Sequence, residues 1–106
     1  MTDFKELIEG STGIPTADTA FSKPQQLPFV VFLDKQTLDG DDFSQRNIAQ
    51  HDLAVEFYAE RIDAGNEKKL EALFLQQGWT YSRDRTWLTD EKCFETIYQI
   101  NFTERV

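Results

Sequence analysis

Cysteine is almost missing from this chain. Cys93 stands alone among 106 residues, so neither an intramolecular disulfide nor a multi-cysteine metal site can form, which suits a reducing compartment. Histidine is as scarce, with His51 the sole example. No run approaches the ~20 apolar residues of a membrane span, so no membrane contact is expected. Residues 1–30 lack the charged start and apolar core of a signal peptide. The expectation is a protein made and kept in the cytoplasm, or released by lysis. Positive charge is also in short supply: 11 Lys and Arg face 19 Asp and Glu, for a net charge of −8. No basic run exceeds Lys68-Lys69. Binding to a phosphate backbone depends on Lys and Arg neutralising phosphates, so sequence-specific nucleic-acid binding is not expected. An acidic surface either keeps the chain soluble or meets a basic partner. P-loops, Ser-X-Gly elbows, paired cysteines and Gly-rich dinucleotide turns do not occur. The expectation is no enzyme, no cofactor and no metal.

Aromatics are plentiful, at 13% with nine Phe, and each buries a large area. The length fits one domain, 1–106, able to bury a core without staples. The organising stretch is His51–Glu60, HDLAVEFYAE. Leu53, Val55, Phe57 and Ala59 fall on one side of an extended chain, and Asp52, Ala54, Glu56, Tyr58 and Glu60 on the other. That period of two is the pattern of a half-buried strand.

In chain order, Thr2 caps a predicted helix over Asp3–Glu9, with Phe4, Leu7 and Ile8 as its apolar stripe and Gly10 and Gly13 ending it. Ile14–Phe21 reads as a short extended piece, and Pro15 suits an edge. Pro28–Leu33, PFVVFL, reads as a strand covered on both faces. Between it and the central strand lies a long, partly projecting hairpin whose expected tip is Lys35–Asp42. From Phe43 onward the alternation is already in phase with Leu53. Asn66 caps the main helix, Glu67–Gln77, with Leu70, Leu73, Phe74 and Gln77 on one face and Gly78 as the left-handed terminator. Trp79–Arg83 is a short strand candidate, Arg83-Asp84-Arg85 a turn, and Thr89–Glu91 another turn. The last strand spans Lys92–Thr103. The fold class is therefore α+β: about four strands in a mixed or antiparallel sheet, two helices on one face, and the projecting hairpin.

Few residues invite chemistry. His51 lies in phase with the apolar side, Asp52 points the other way, and no orienting carboxylate is visible; it reads as structural or exposed. Cys93 beside Lys92 has the setting for a lowered thiol pKa, but without a partner histidine it reads as incidental. Asp39-Gly40-Asp41-Asp42 has a calcium-loop look. Counted from Asp39, however, position 6 is Ser44 and position 12 is Gln50 rather than Gly and Glu, so the motif fails.

The order of patterns resembles small tail completion, tail terminator and head–tail joining proteins of tailed bacteriophages and prophages of Gram-positive hosts. The resemblance rests on Leu27–Leu33, on His51–Tyr58 as the long strand, on Asn66–Glu71 opening the helix and on Glu91–Ile100 as the closing strand. Where such proteins often carry a tyrosine-rich long strand, this chain has Leu53 and Phe57. The resemblance implies a virion structural protein that assembles with itself as a ring, a hexamer. The ring would contact phage connector or tail-tube proteins and occupy the virion after assembly in host cytoplasm. It carries no catalytic residues. The hairpin is long enough to reach a neighbour, which makes Thr37, Asp39, Asp41, Asp42, Phe43 and Arg46 the candidate subunit or partner interface. The competing reading is an acidic inhibitor, or DNA mimic, that binds a basic protein surface. The spread of acids from Asp3 to Glu104 argues against one phosphate-like face.

Overall fold

The computed structural model describes residues 3–39 and 48–105, with Asp39 and Arg105 described in backbone only. Helix α1 spans Phe4–Thr12, and strands β1, Thr16–Asp18, and β2, Phe29–Asp39, follow. Then come β3, Ile48–Ala59, helix α2, Ala64–Gln76, and strands β4, Tyr81–Leu88, and β5, Cys93–Arg105. The strands form a five-stranded sheet in the order β1-β2-β3-β5-β4. β1 pairs with β2 in parallel, and every other pairing is antiparallel.

β3 is the middle strand, hydrogen-bonded to β2 on one side and β5 on the other. Its burial alternates along the whole strand: Ala49, His51, Leu53, Val55, Phe57 and Ala59 are buried. These side chains, with Val30 and Phe32 of β2 and Tyr98 and Ile100 of β5, meet Phe4 and Ile8 of α1 and Leu70, Leu73 and Phe74 of α2 in one core. Both helices therefore lie on the same face, as the alternation requires. No helix among the described residues covers the opposite face.

Caps account for the helix boundaries. Asp3, one residue later than the expected Thr2, caps α1 by accepting from the Glu6 N–H at 3.2 Å. Gly10 lies inside the helix, and Gly13 ends it in the left-handed region at φ 74°. Asp63 rather than Asn66 caps α2, its Oδ1 accepting from the Asn66 N–H at 3.1 Å. The Asn66 side chain donates to Asp63 Oδ2 at 2.8 Å. Gly78 takes the expected left-handed conformation at φ 75°.

The sheet has one strand more than expected, and the difference lies at its edges. Pro15 donates nothing, but its carbonyl accepts from the Val30 N–H at 2.8 Å, which seats β1 beside β2. On the other edge, Arg83-Asp84-Arg85 is not a turn but the middle of β4. Arg83 and Arg85 project toward α2, where Arg83 Nη1 donates to Glu71 at 2.9 Å and Arg85 donates twice to Glu67. A charged edge strand is thus tied to a helix through its charges. The hairpin tip also differs: Lys35–Asp39 is strand, paired with Ile48–Asp52, because backbone pairing continues past the point where the outward side chains become polar.

Glu67 is the most enclosed carboxylate of the helix layer, with 2% of its surface exposed. Burial pushes its carboxyl up. The hydrogen bonds from Arg85 and Thr96 and the charges of Arg85 and Arg83 outweigh that and hold it below the ordinary value. Such a group stabilises the fold fully above its unfolded pKa of about 4.3, and that stabilisation is lost as pH falls through the lowered folded value. Glu67→Gln is therefore expected to cost about 1–3 kcal/mol at neutral pH. In urea titrations the gap to wild type should close as the pH is lowered through the carboxylate range. A gap independent of pH would contradict the assignment. Phe57→Ala, in the middle of β3 at 1% exposure, is expected to cost ~3–5 kcal/mol out of a total of about 5–15 kcal/mol. An unchanged denaturation midpoint would disprove the packing of β3 under the helices.

Candidate functional site

Two regions carry polar side chains in unusual settings. The first is the extension of the β2–β3 hairpin, with β5 as its third strand. His51 sits there with 2% of its surface exposed. Its ring stacks on Phe102 at 4.5 Å with 5° between planes, and the edge-on ring of Phe4 closes the other contact at 5.7 Å. Its Nδ1 is 2.8 Å from Asp34 Oδ1 on β2, and its Nε2 is 3.0 Å from Glu104 Oε1 on β5. A neutral imidazole has only one N–H to donate, so both contacts are hydrogen bonds at once only in the imidazolium. Seventeen and fifty-three residues separate His51 from these partners, which is why no local spacing revealed them. The arrangement ties three strands together where the hairpin leaves the cover of α1. It presents no reactive atom to solvent, since the imidazole is buried.

The expected interface residues belong to this extension only in part. Thr37 is an exposed residue of β2, and Asp39 is the last residue of that strand. Asp41, Asp42, Phe43 and Arg46 lie outside the described residues. Among the described residues, no group of three or more His, Cys, Asp or Glu side chains is arranged to hold a metal ion. No helix among them is long and apolar enough to cross a membrane.

The second region is a cleft of about 610 Å³ on the face of the sheet without helices. The chain after β1, from Thr19 to Gln25, forms one wall, and Phe29, Val31, Glu56 and Tyr58 form the floor. Phe29 stacks on Tyr58 at 5.0 Å, and Phe21 meets Phe29 edge-on at 5.4 Å. The Tyr58 hydroxyl lies 2.6 Å from Glu95 Oε2 and 3.0 Å from Glu56 Oε1. One hydroxyl proton serves one acceptor at a time, so two carboxylates compete for it. Burial, followed by the hydrogen bonds and charges of Glu95 and Glu56, pushes the Tyr58 phenol far above its ordinary value. It remains a neutral donor and is no base. Cys93 is buried, and burial together with Glu91 and Glu95 pushes its thiol up. The neighbouring Lys92 therefore does not activate it. Sequence periodicity shows Glu56 and Tyr58 sharing a face. It does not show that residues 19–25 fold over that face to make a wall.

Neither family models nor curated protein sequences give a match to this chain. Among solved structures, the fold is similar to a chain from the virion of a native gene transfer agent particle. The TM-score is 0.62 at 10% sequence identity, over 93% of this chain and 84% of that one. At that identity it is a likeness of fold.

Removing the His51 clamp is expected to loosen the extension more than the core. In His51→Ala, amide exchange across Asp34–Leu38 and Ala49–Leu53 should accelerate well beyond that of Val55–Ala59. Equal acceleration in all three segments would show that His51 supports the whole sheet rather than its extension.

Proposed function

We propose that this chain is a structural, non-catalytic protein of a tailed-phage-type virion, acting at the head–tail junction or the tail end as a ring of identical copies. The observation that supports this most directly is the fold likeness over 93% of the chain to a chain from a gene transfer agent virion. The reading also accords with the chemistry of the described residues. The one histidine is enclosed between two carboxylates, and the one thiol and the cleft phenol are pushed away from reactivity. What the molecule offers instead is surface: an uncovered sheet face, a long hairpin and an acidic exterior. A ring requires a heterologous contact whose rotation closes, and a chain with one helix-covered face and one bare face supplies two different surfaces. Net negative charge also suits a conduit, since it gives passing DNA little to adhere to.

The hairpin would reach a neighbouring copy or a connector or tail-tube protein. Replacing residues 40–47 with a short turn between β2 and β3 should leave the fold intact, because closure entropy varies slowly with loop length. Assembly should fail: in a particle-producing host, filled heads and tails would accumulate unjoined, with folding verified by circular dichroism. Normal infectious particles from this variant would remove the hairpin from the interface. A wild-type chain missing from purified particles would overturn the structural reading and favour an acidic inhibitor of a basic protein.

A further inference from the structure

Among the described residues, nothing covers the outward side of α2. Lys68, Lys69, Ala72 and Leu75 are all exposed on it, and Leu75, at 78%, is more exposed than any other large apolar side chain among the described residues. Lys68 and Leu75 stand two turns apart on one side of the helix. The pair Lys68-Lys69 is also the one basic run of the chain, on a protein of net charge −8. The cleft on the far side of the sheet has the complementary character. Its floor is aromatic, and its charged lining is Glu56 and Glu91 against a single Lys23. Glu95 adds a further carboxylate at the Tyr58 hydroxyl, which cannot satisfy Glu56 and Glu95 together.

We infer that copies of this chain associate head to tail, with Lys68, Lys69 and Leu75 of one copy seated in the cleft of the next. Leu75 would fill the apolar floor beside Phe21 and Phe29, and the two ammonium groups would meet Glu56 and Glu91. Occupant and cleft lie on opposite faces of the sheet, so each copy offers both halves of the contact. The contact is therefore heterologous, the kind a ring repeats. Attraction between opposite local charges also explains how an acidic chain overcomes its own net repulsion. This inference rests on the ring reading above and adds a contact between copies to the one proposed for the hairpin.

The test is sedimentation of the full-length chain over a concentration series at low salt. Wild type should self-associate, and added salt should weaken the association. Lys68→Glu with Lys69→Glu, and separately Glu56→Lys with Glu91→Lys, should each weaken it by roughly tenfold or more. An equimolar mixture of the two variants should recover it, because each altered surface then finds a matching one. Leu75→Glu, far from the core, provides a variant whose folding is not at risk. Its mixture with the Glu56→Lys, Glu91→Lys chain should not assemble beyond small species.

Association that is unaffected by all of these changes would overturn this interface and leave the ring reading standing. A wild-type chain that remains monomeric throughout would also overturn it. The ring reading would then be judged separately, by whether the chain is present in particles. Capture of a Lys- or Arg-rich foreign protein in the cleft by a chain that never self-associates would assign the surface to a different partner and refute the inference.

Discussion

The structure depends on the alternation of β3. Because β3 is hydrogen-bonded on both sides, its register fixes the faces of β2 and β5 as well. Val55 lies between Phe32 and Tyr98, and Leu53 between Asp34 and Ile100. A slip of one residue would turn Leu53, Val55 and Phe57 toward the bare face and send Asp52, Ala54 and Glu56 under the helices. The cost of that exchange specifies the register along the sheet. It also fixes which side chains can line the cleft, since Glu56 and Tyr58 are the residues that the same parity leaves on the bare side.

The helix-covered face is not purely apolar, and three of its polar groups tie elements together. His51, Glu67 and Thr96 are buried, and each meets a partner on a different element. His51 bridges β2 and β5. Glu67 on α2 receives Arg85 from β4 and the Thr96 hydroxyl from β5 at 2.7 Å. Beside it, Tyr98 donates to Glu71 at 2.8 Å. Among the described residues, no buried side-chain nitrogen or oxygen lacks a hydrogen-bond partner. Leaving one unpaired would cost about 1–3 kcal/mol, while pairing them fixes how α2 sits over β4 and β5. The polar groups thus position elements that hydrophobic contact alone would let slide.

The parts legible in the sequence are those with a local period. β3, α2 and β5 were readable because Leu53–Val55–Phe57, Leu70–Leu73–Phe74 and Phe94–Thr96–Tyr98 repeat at strand or helix spacing. β4 is not, because Arg83 and Arg85 look like turn residues until Glu71 and Glu67, twelve and eighteen positions earlier on α2, are known to lie above them. The hairpin was expected, but its strands run further than polarity suggests, since a backbone ladder continues whether or not its side chains are covered. The His51 contacts to Asp34 and Glu104 and the cleft wall formed by residues 19–25 depend on tertiary approach alone, for which a single sequence carries no periodic signal.

The two faces of the sheet differ in what covers them. On the helix side, changing a side chain disturbs a filled core, and the pattern there is a matter of alternation and size. On the bare side, Val31 is nearly buried while Leu33 is 39% exposed, and the aromatic floor of the cleft is bordered by carboxylates rather than covered by a helix. A monomer gains nothing from leaving such a face open, since a third layer would bury it at ordinary hydrophobic benefit. Under the ring reading proposed above, the uncovered face is the layer that a neighbouring copy would complete. The asymmetry between the two faces is carried by the parity of a single strand, β3.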